Sequence, residues 1–233
     1  MVSGPLALVG GEELKRGNEP QDEVLVRAAG EGPAFVLATA TARMRPGLAV
    51  ANARRWFGRL DLEVEELPVR ERPDAESAEL ADRAKDGRFF YLVGGDPGHT
   101  VEVLRGSPVW ESIVGAWRSG AALGGSSAGA MAMGEWTLLP GDSDRRYAES
   151  LGLVPRLVVL PHFTGFGRSW IEGARTSAPK EDVVLAGIDE RTGAVWDGKR
   201  WRAMGRGGVT VMVGTAREYS AGGVIEGLPD PLC

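Results

Sequence analysis

Ala121-Ala122-Leu123-Gly124-Gly125-Ser126-Ser127-Ala128-Gly129-Ala130 is a short apolar run that ends in two glycines and passes through a serine pair into small residues able to open a helix. Within it, Gly125-Ser126-Ser127-Ala128-Gly129 fits the G-x-S-x-G pattern of a sharp strand-to-helix turn with Ser127 at its apex. Such a turn lifts the serine hydroxyl above the sheet. Glycines two residues to either side let neighbouring backbone come close without a Cβ in the way. The next amide, Ala128 N–H, falls at a helix N-terminus, where developing negative charge is favoured. The bland alternative is a glycine-rich turn that only packs.

On both sides of this turn, further apolar runs of strand length recur: Pro5-Leu6-Ala7-Leu8-Val9, Ala34 to Ala40, Arg88 to Val93, Arg156 to Leu160 and Val183 to Ile188. Runs without polar alternation suit strands covered on both faces, as in a parallel sheet. Between them, residues 20–30, 46–58, 74–86, 97–105, 108–118 and 167–177 carry helical spacing, with Asp74 as a candidate N-cap. Leu62 to Leu67 starts in strict alternation and reads as an exposed or edge strand. Residues 134–155 read as loops and turns, including the polar stretch Gly141-Asp142-Ser143-Asp144-Arg145-Arg146. The tail, 193–226, alternates short β runs with glycine turns and reads as an antiparallel flap on one edge. Alternating strands and helices imply an α/β fold, a parallel sheet with helices on both faces, in one domain spanning 1–233. Ligands bind such sheets beyond the C-terminal strand ends. Gly10-Gly11, Gly94-Gly95-Asp96, Ser126-Ser127, His162 and Glu190 all fall at such ends.

Bulk properties bound the chemistry. Lys plus Arg is 27 and Asp plus Glu is 32, so the formal net charge is −5, and no nucleic-acid-binding surface is expected. The single cysteine, Cys233, allows no intrachain disulfide and is poorly placed to be a nucleophile. No apolar run approaches the roughly 18 residues of a membrane span, and no secretory leader is evident, so a cytoplasmic location is expected without a membrane partner. With two histidines, His99 and His162, a histidine-rich metal site is excluded, and no metal or cofactor is expected. The sequence is compatible with a homodimer.

Ser127 is the candidate nucleophile, and a serine hydroxyl needs a base to remove its proton. His162 follows a buried strand and is the better base. His99 lies in Gly94-Gly95-Asp96-Pro97-Gly98-His99, at a helix start that disfavours imidazolium, and reads as a substrate-side or structural residue. A carboxylate should orient the base. Glu190 ranks first because its strand follows the His162 strand; Asp142 and Asp96 rank second and third. Gly95 N–H and Ala128 N–H are the candidate oxyanion donors.

Tyr91-Leu92-Val93-Gly94-Gly95-Asp96, Gly124 to Ala130, Pro161-His162-Phe163 and Gly187-Ile188-Asp189-Glu190 together resemble the peptidase E and cyanophycinase family of serine peptidases. The resemblance implies a three-layer α/β/α, flavodoxin-like fold similar to the class I glutamine amidotransferases. It implies Ser127 as nucleophile, His162 as base and Glu190 as acid, with Asp142 near an aspartate also considered important in the family. It implies a small peptide substrate: acidic dipeptides, or the aspartate-rich polymer cyanophycin. Arg168, after His162, is a candidate for meeting an acidic side chain or terminal carboxylate. Serine at the apex disfavours an amidotransferase. Two other readings compete: an α/β-hydrolase-type esterase using Ser127, Asp142 and His162, and a non-catalytic binding protein on the same scaffold.

Overall fold

The computed structural model of the chain describes residues 3–140 and 145–232, so Asp142 and Cys233 lie outside the described residues. Strand β1 (Leu6–Val9) leads through helix α1 (Glu19–Ala29) to β2 (Ala34–Leu37), α2 (Pro46–Gly58) and the edge strand β3 (Glu65–Glu66). Helices α3 (Arg72–Ala75) and α4 (Ala78–Lys85) precede β4 (Phe89–Leu92); α5 (Pro97–Leu104) and α6 (Pro108–Arg118) precede β5 (Ala122–Ser126). Then come α7 (Ala128–Ala132), β6 (Trp136–Pro140), β7 (Arg145–Glu149), β8 (Leu157–Leu160), α8 (Ile171–Thr176) and β9 (Val184–Ile188). Strands β10 (Thr192–Trp196), β11 (Trp201–Gly205), β12 (Gly208–Val213), β13 (Thr215–Ser220) and β14 (Val224–Ile225) follow.

The large sheet runs β14-β11-β10-β1-β5-β4-β2-β3. It is parallel from β1 through β5, β4 and β2 to β3, and antiparallel from β1 through β10 and β11 to β14. This is the mixed α/β architecture that the alternation of elements implies. Strands β1, β2, β4 and β5 are buried along their whole length. Alternate residues explain why. Ala7 and Val9 pack with Leu25, Trp56 and Phe57 beneath α1 and α2, whereas Leu6 and Leu8 pack with Ile113, Trp117, Val159 and Ile188 on the other face. Both pleat directions meet apolar cover, so no polar alternation is needed.

The structure differs from the sequence reading in three places. Strands β8 and β9 do not join the large sheet. They form a second sheet, β13-β12-β9-β8, that packs over one face of it through Val159, Ala186, Ile188 and Val209. The antiparallel tail therefore splits: β10, β11 and β14 extend the first sheet, and β12 and β13 extend the second. Residues 134–155 hold the antiparallel pair β6 and β7, which covers the far side of β8 through Leu138. The helix expected over 74–86 is two helices. Ser77 accepts a hydrogen bond from Leu80 N–H and restarts the chain as an N-cap, while Asp74 sits at the third position of α3 in a capping box with Glu71. Among the described residues no helix is long and apolar enough to cross a membrane.

Candidate active site

The turn from β5 into α7 holds Ser127 at φ 48°, ψ −111°, outside the ordinary regions for a residue with a side chain. The two motif glycines are there for space: a Cβ on Gly125 would stand 2.8 Å from the Gly129 carbonyl carbon, and one on Gly129 would stand 2.3 Å from the Leu92 carbonyl oxygen. Backbone closeness, rather than freedom of φ, fixes both positions.

Three consecutive carbonyls at the end of β1 hold the site together. Val9 O accepts from Ser127 N–H at 2.9 Å, Gly10 O from His162 N–H at 2.7 Å, and Gly11 O from Arg191 N–H at 2.9 Å. His162 (φ 49°) and Arg191 (φ 55°) share the left-handed backbone of Ser127. His162 comes from the loop after β8 and Glu190 from the turn after β9, so the second sheet delivers both across the rim of the first. Ser127 Oγ lies 3.2 Å from His162 Nε2, and His162 Nδ1 lies 2.7 Å from Glu190 Oε1. A carboxylate at Nδ1 keeps the proton on that nitrogen and leaves Nε2 as an acceptor facing the serine hydroxyl. The Phe166 ring stacks on the imidazole, centroids 4.9 Å apart. A Cβ on Gly11 would lie 2.3 Å from the same ring, so the imidazole is confined by β1 as well.

Ala128 opens α7, and the Gly94-Gly95 turn lies beside Ser127: a Cβ on Gly94 would be 3.2 Å from Ser127 Cβ. Asp96 caps α5, its Oδ1 accepting from His99 N–H at 3.1 Å, and is not hydrogen-bonded to His162. His99 is buried, with Nε2 2.8 Å from Arg70 O. Arg168 carries its guanidinium over the Phe163 ring, 5.1 Å from the centroid, and lines neither cleft described below.

Two clefts meet at Ser127. One, of about 580 Å³, is lined by Glu13, Arg55, Trp56, Arg59, Gly95 and His162. The other, of about 660 Å³, is lined by Asp96, His99, Met131, Leu139, Phe166 and Trp170. A scissile bond lying across Ser127 would send its two sides into different clefts. Among the described residues no cluster of three His, Cys, Asp or Glu side chains is arranged to hold a metal ion.

Two carboxyl groups near the site escaped the sequence reading. Glu13 follows Gly10-Gly11 at the same strand end; its Oε1 accepts from Gly94 N–H at 2.8 Å and its Oε2 from Ser126 Oγ at 3.0 Å. The signal was available, because an acidic pair directly follows a glycine strand end. Asp22 on α1 is fully buried under the cleft, and burial pushes its carboxyl up to about 8. The Trp56 indole N–H, donating to its Oδ2 at 2.8 Å, pulls the other way, and the charges of Glu13 and Glu19 add to the rise.

The model of peptidase family S51 matches residues 6–201. The cyanophycinase of Trichormus variabilis is 32% identical over 219 residues, which cover 89% of this chain and 72% of that protein. The cyanophycinase of Geminocystis herdmanii is 30% identical over 186 residues, 76% of this chain and 66% of that protein. A crystal structure of a peptidase from an acI-B1 Actinobacterium superposes with a TM-score of 0.84 at 28% identity, covering 96% of this chain and 97% of that one. The family match takes in the serine turn, the rim glycines and both strand ends of the second sheet, so this chain belongs to peptidase family S51 and is a serine peptidase, a hydrolase of peptide bonds.

Proposed function

We propose that the chain cleaves small peptides, among them aspartate-containing dipeptides or isopeptides, through an acyl-enzyme at Ser127, with His162 as base and Glu190 as its partner. One observation carries the reading: the continuous contact from Ser127 Oγ to His162 Nε2 at 3.2 Å and from His162 Nδ1 to Glu190 Oε1 at 2.7 Å. His162 takes the hydroxyl proton as Oγ bonds to the scissile carbonyl carbon. The oxygen charge that develops is met by the Gly95 and Ala128 amides. As the C–N bond breaks, His162 gives its proton to the leaving amine, and an ester remains on Ser127. Water, deprotonated by His162, then attacks that ester; the acid leaves and Ser127 regains its proton. Glu190 stabilises the imidazolium formed in each half.

Lys15, Arg55 and Arg59 in one cleft support a carboxylate-bearing substrate. So does the likeness to cyanophycinases, the family resemblance implying an aspartate-rich substrate. The esterase reading needs Asp142 on His162 Nδ1, a position that Glu190 occupies. The test is a panel of α- and β-aspartyl dipeptides with neutral controls, alongside labelling by a fluorophosphonate. Wild-type protein should hydrolyse at least one acidic member and label at Ser127; Ser127→Ala should do neither while keeping its thermal melt. Turnover by Ser127→Ala would overturn the mechanism, and turnover confined to neutral peptides would overturn the substrate class.

A further inference from the structure

We infer that Glu13 is a positioning residue that sets the oxyanion-binding turn, an inference that rests on the acyl-enzyme reading above. Its two carboxylate oxygens are each committed to a different strand end. Oε1 accepts from Gly94 N–H after β4, and Oε2 accepts from the hydroxyl of Ser126, the residue before the nucleophile. Three segments far apart in sequence are thereby tied at one point. The loop that carries Glu13 is built for this aim. Its neighbours Glu12 (φ 55°) and Leu14 (φ 59°) both adopt left-handed backbone, each costing on the order of 1–3 kcal/mol for a residue that is not glycine. Glu12 is engaged by Lys15 and Arg191, so the two neighbouring carboxylates have separate partners and Glu13 is the one that meets Gly94 and Ser126.

The consequence falls on Gly95. Its turn is fixed from both ends: Gly94 N–H is held by Glu13, and Asp96 N–H donates to Ala40 O at 2.8 Å. The amide between them is Gly95 N–H, which has no hydrogen-bond partner among the described residues. A Cβ on Gly95 would meet Ala40 O at 2.3 Å, so the turn lies close against that backbone with no room for a side chain. Glu13 is therefore the group that decides which way the Gly95 amide faces. Oxyanion donors act because they are oriented before charge develops, and loss of one costs roughly 10²–10³-fold in kcat.

Glu13→Gln, Glu13→Asp and Glu13→Ala test the assignment, with kcat, KM and the fluorophosphonate labelling rate measured for each. Gln keeps the length and a carbonyl acceptor for Gly94 N–H, so it should stay within about threefold of wild type. Asp keeps the charge but is one methylene too short to span both partners. Its kcat and labelling rate should fall together by at least about tenfold with KM little changed, and Ala should fall further. Should Ala fail to fold, the contrast of Gln with Asp still decides. Wild-type rates in Glu13→Asp would overturn the inference. So would a loss in Glu13→Gln equal to that in Glu13→Asp, or a loss that appears in KM, since either would mean that the carboxylate charge meets substrate. Failure of the acyl-enzyme reading looks different: wild-type protein would not label at Ser127, or Ser127→Ala would still turn over.

Discussion

Replacing Asp22 by Asn should make the stability of the protein depend on pH in a different way, and the size of the change follows from the structure. The Asp22 carboxyl is fully buried and, pushed up to about 8 from its ordinary 3.8, is protonated in the folded protein at neutral pH. In the unfolded chain it ionises near pH 4. Between these values the folded state holds one proton more than the unfolded state, so stability falls as pH rises, by about 1.4 kcal/mol per pH unit from this group. The contribution is fully present below pH 4 and lost through about pH 8. By pH 7 the loss is roughly 4 kcal/mol. An amide at position 22 cannot ionise, so this slope disappears. It can still accept from the Trp56 N–H, but its NH₂ would replace Oδ1, which has no hydrogen-bond partner. Burying that unmatched donor costs about 1–3 kcal/mol at every pH. Asp22→Asn should therefore be less stable than wild type below about pH 4.5, cross it between about pH 4.5 and 6, and be more stable at pH 8. Urea midpoints taken at half-unit steps from pH 4.5 to 8.5, with the m-value checked for constancy, read this directly. Parallel stability curves for the two proteins would refute the buried, neutral carboxyl.

Three further outcomes are expected. Gly11→Ala places a Cβ 2.3 Å from the His162 ring at φ 120°, so kcat should fall on the order of 100-fold; a wild-type kcat would show that the ring is not confined by β1. Glu190→Gln lets an amide NH₂ face Nδ1 and admits the wrong imidazole tautomer, so kcat should fall roughly 10²–10⁴-fold in steady-state assays with the melting temperature nearly unchanged. Trp56→Phe removes the donor to Asp22 and should cost about 1–3 kcal/mol in urea unfolding at pH 7; in an Asp22→Ala background, which has no acceptor, the cost should be smaller, because the two groups share one hydrogen bond.

What could be read in advance was whatever local sequence controls. The apolar runs of β1, β2, β4 and β5 were legible because each strand is covered on both faces, and the glycines around Ser127 because two backbones nearly touch there. Strand order placed Glu190 at the same rim as His162, and the 2.7 Å contact is what that order produces. Membership of a sheet was not legible. Val158 and Leu185 face the β6–β7 pair, whereas Val159 and Ala186 face the first sheet, so β8 and β9 look as buried as the central strands although they belong to another layer. For the two hidden carboxyls the limit was different: the acidic pair after Gly10-Gly11 could have marked Glu13 as a candidate, but neither its aim nor the burial of Asp22 was legible. Asp22 stands in the first turn of a helix, where acids ordinarily face water, and its burial depends on Trp56, 34 residues away. Glu13 is aimed by two backbone angles that residue type does not announce.

The three left-handed residues at the rim raise a question of support. At about 1–3 kcal/mol each, Ser127, His162 and Arg191 together store strain comparable with the whole stability of an ordinary domain. Such strain persists only where the surroundings leave no alternative. The end of β1 supplies that condition: its successive carbonyls take up the amide of each strained residue, so relaxing one means stranding a buried acceptor. The strand can serve as the anchor because Leu6, Ala7, Leu8 and Val9 are all fully buried, and it is paired in parallel with β5 and antiparallel with β10. Ser127, His162 and the Glu190-Arg191 turn are thus each referenced to one backbone segment, in addition to the side-chain contacts among them. A change to any single side chain among them should leave the other two in place, whereas displacing Val9-Gly10-Gly11 should release all three at once.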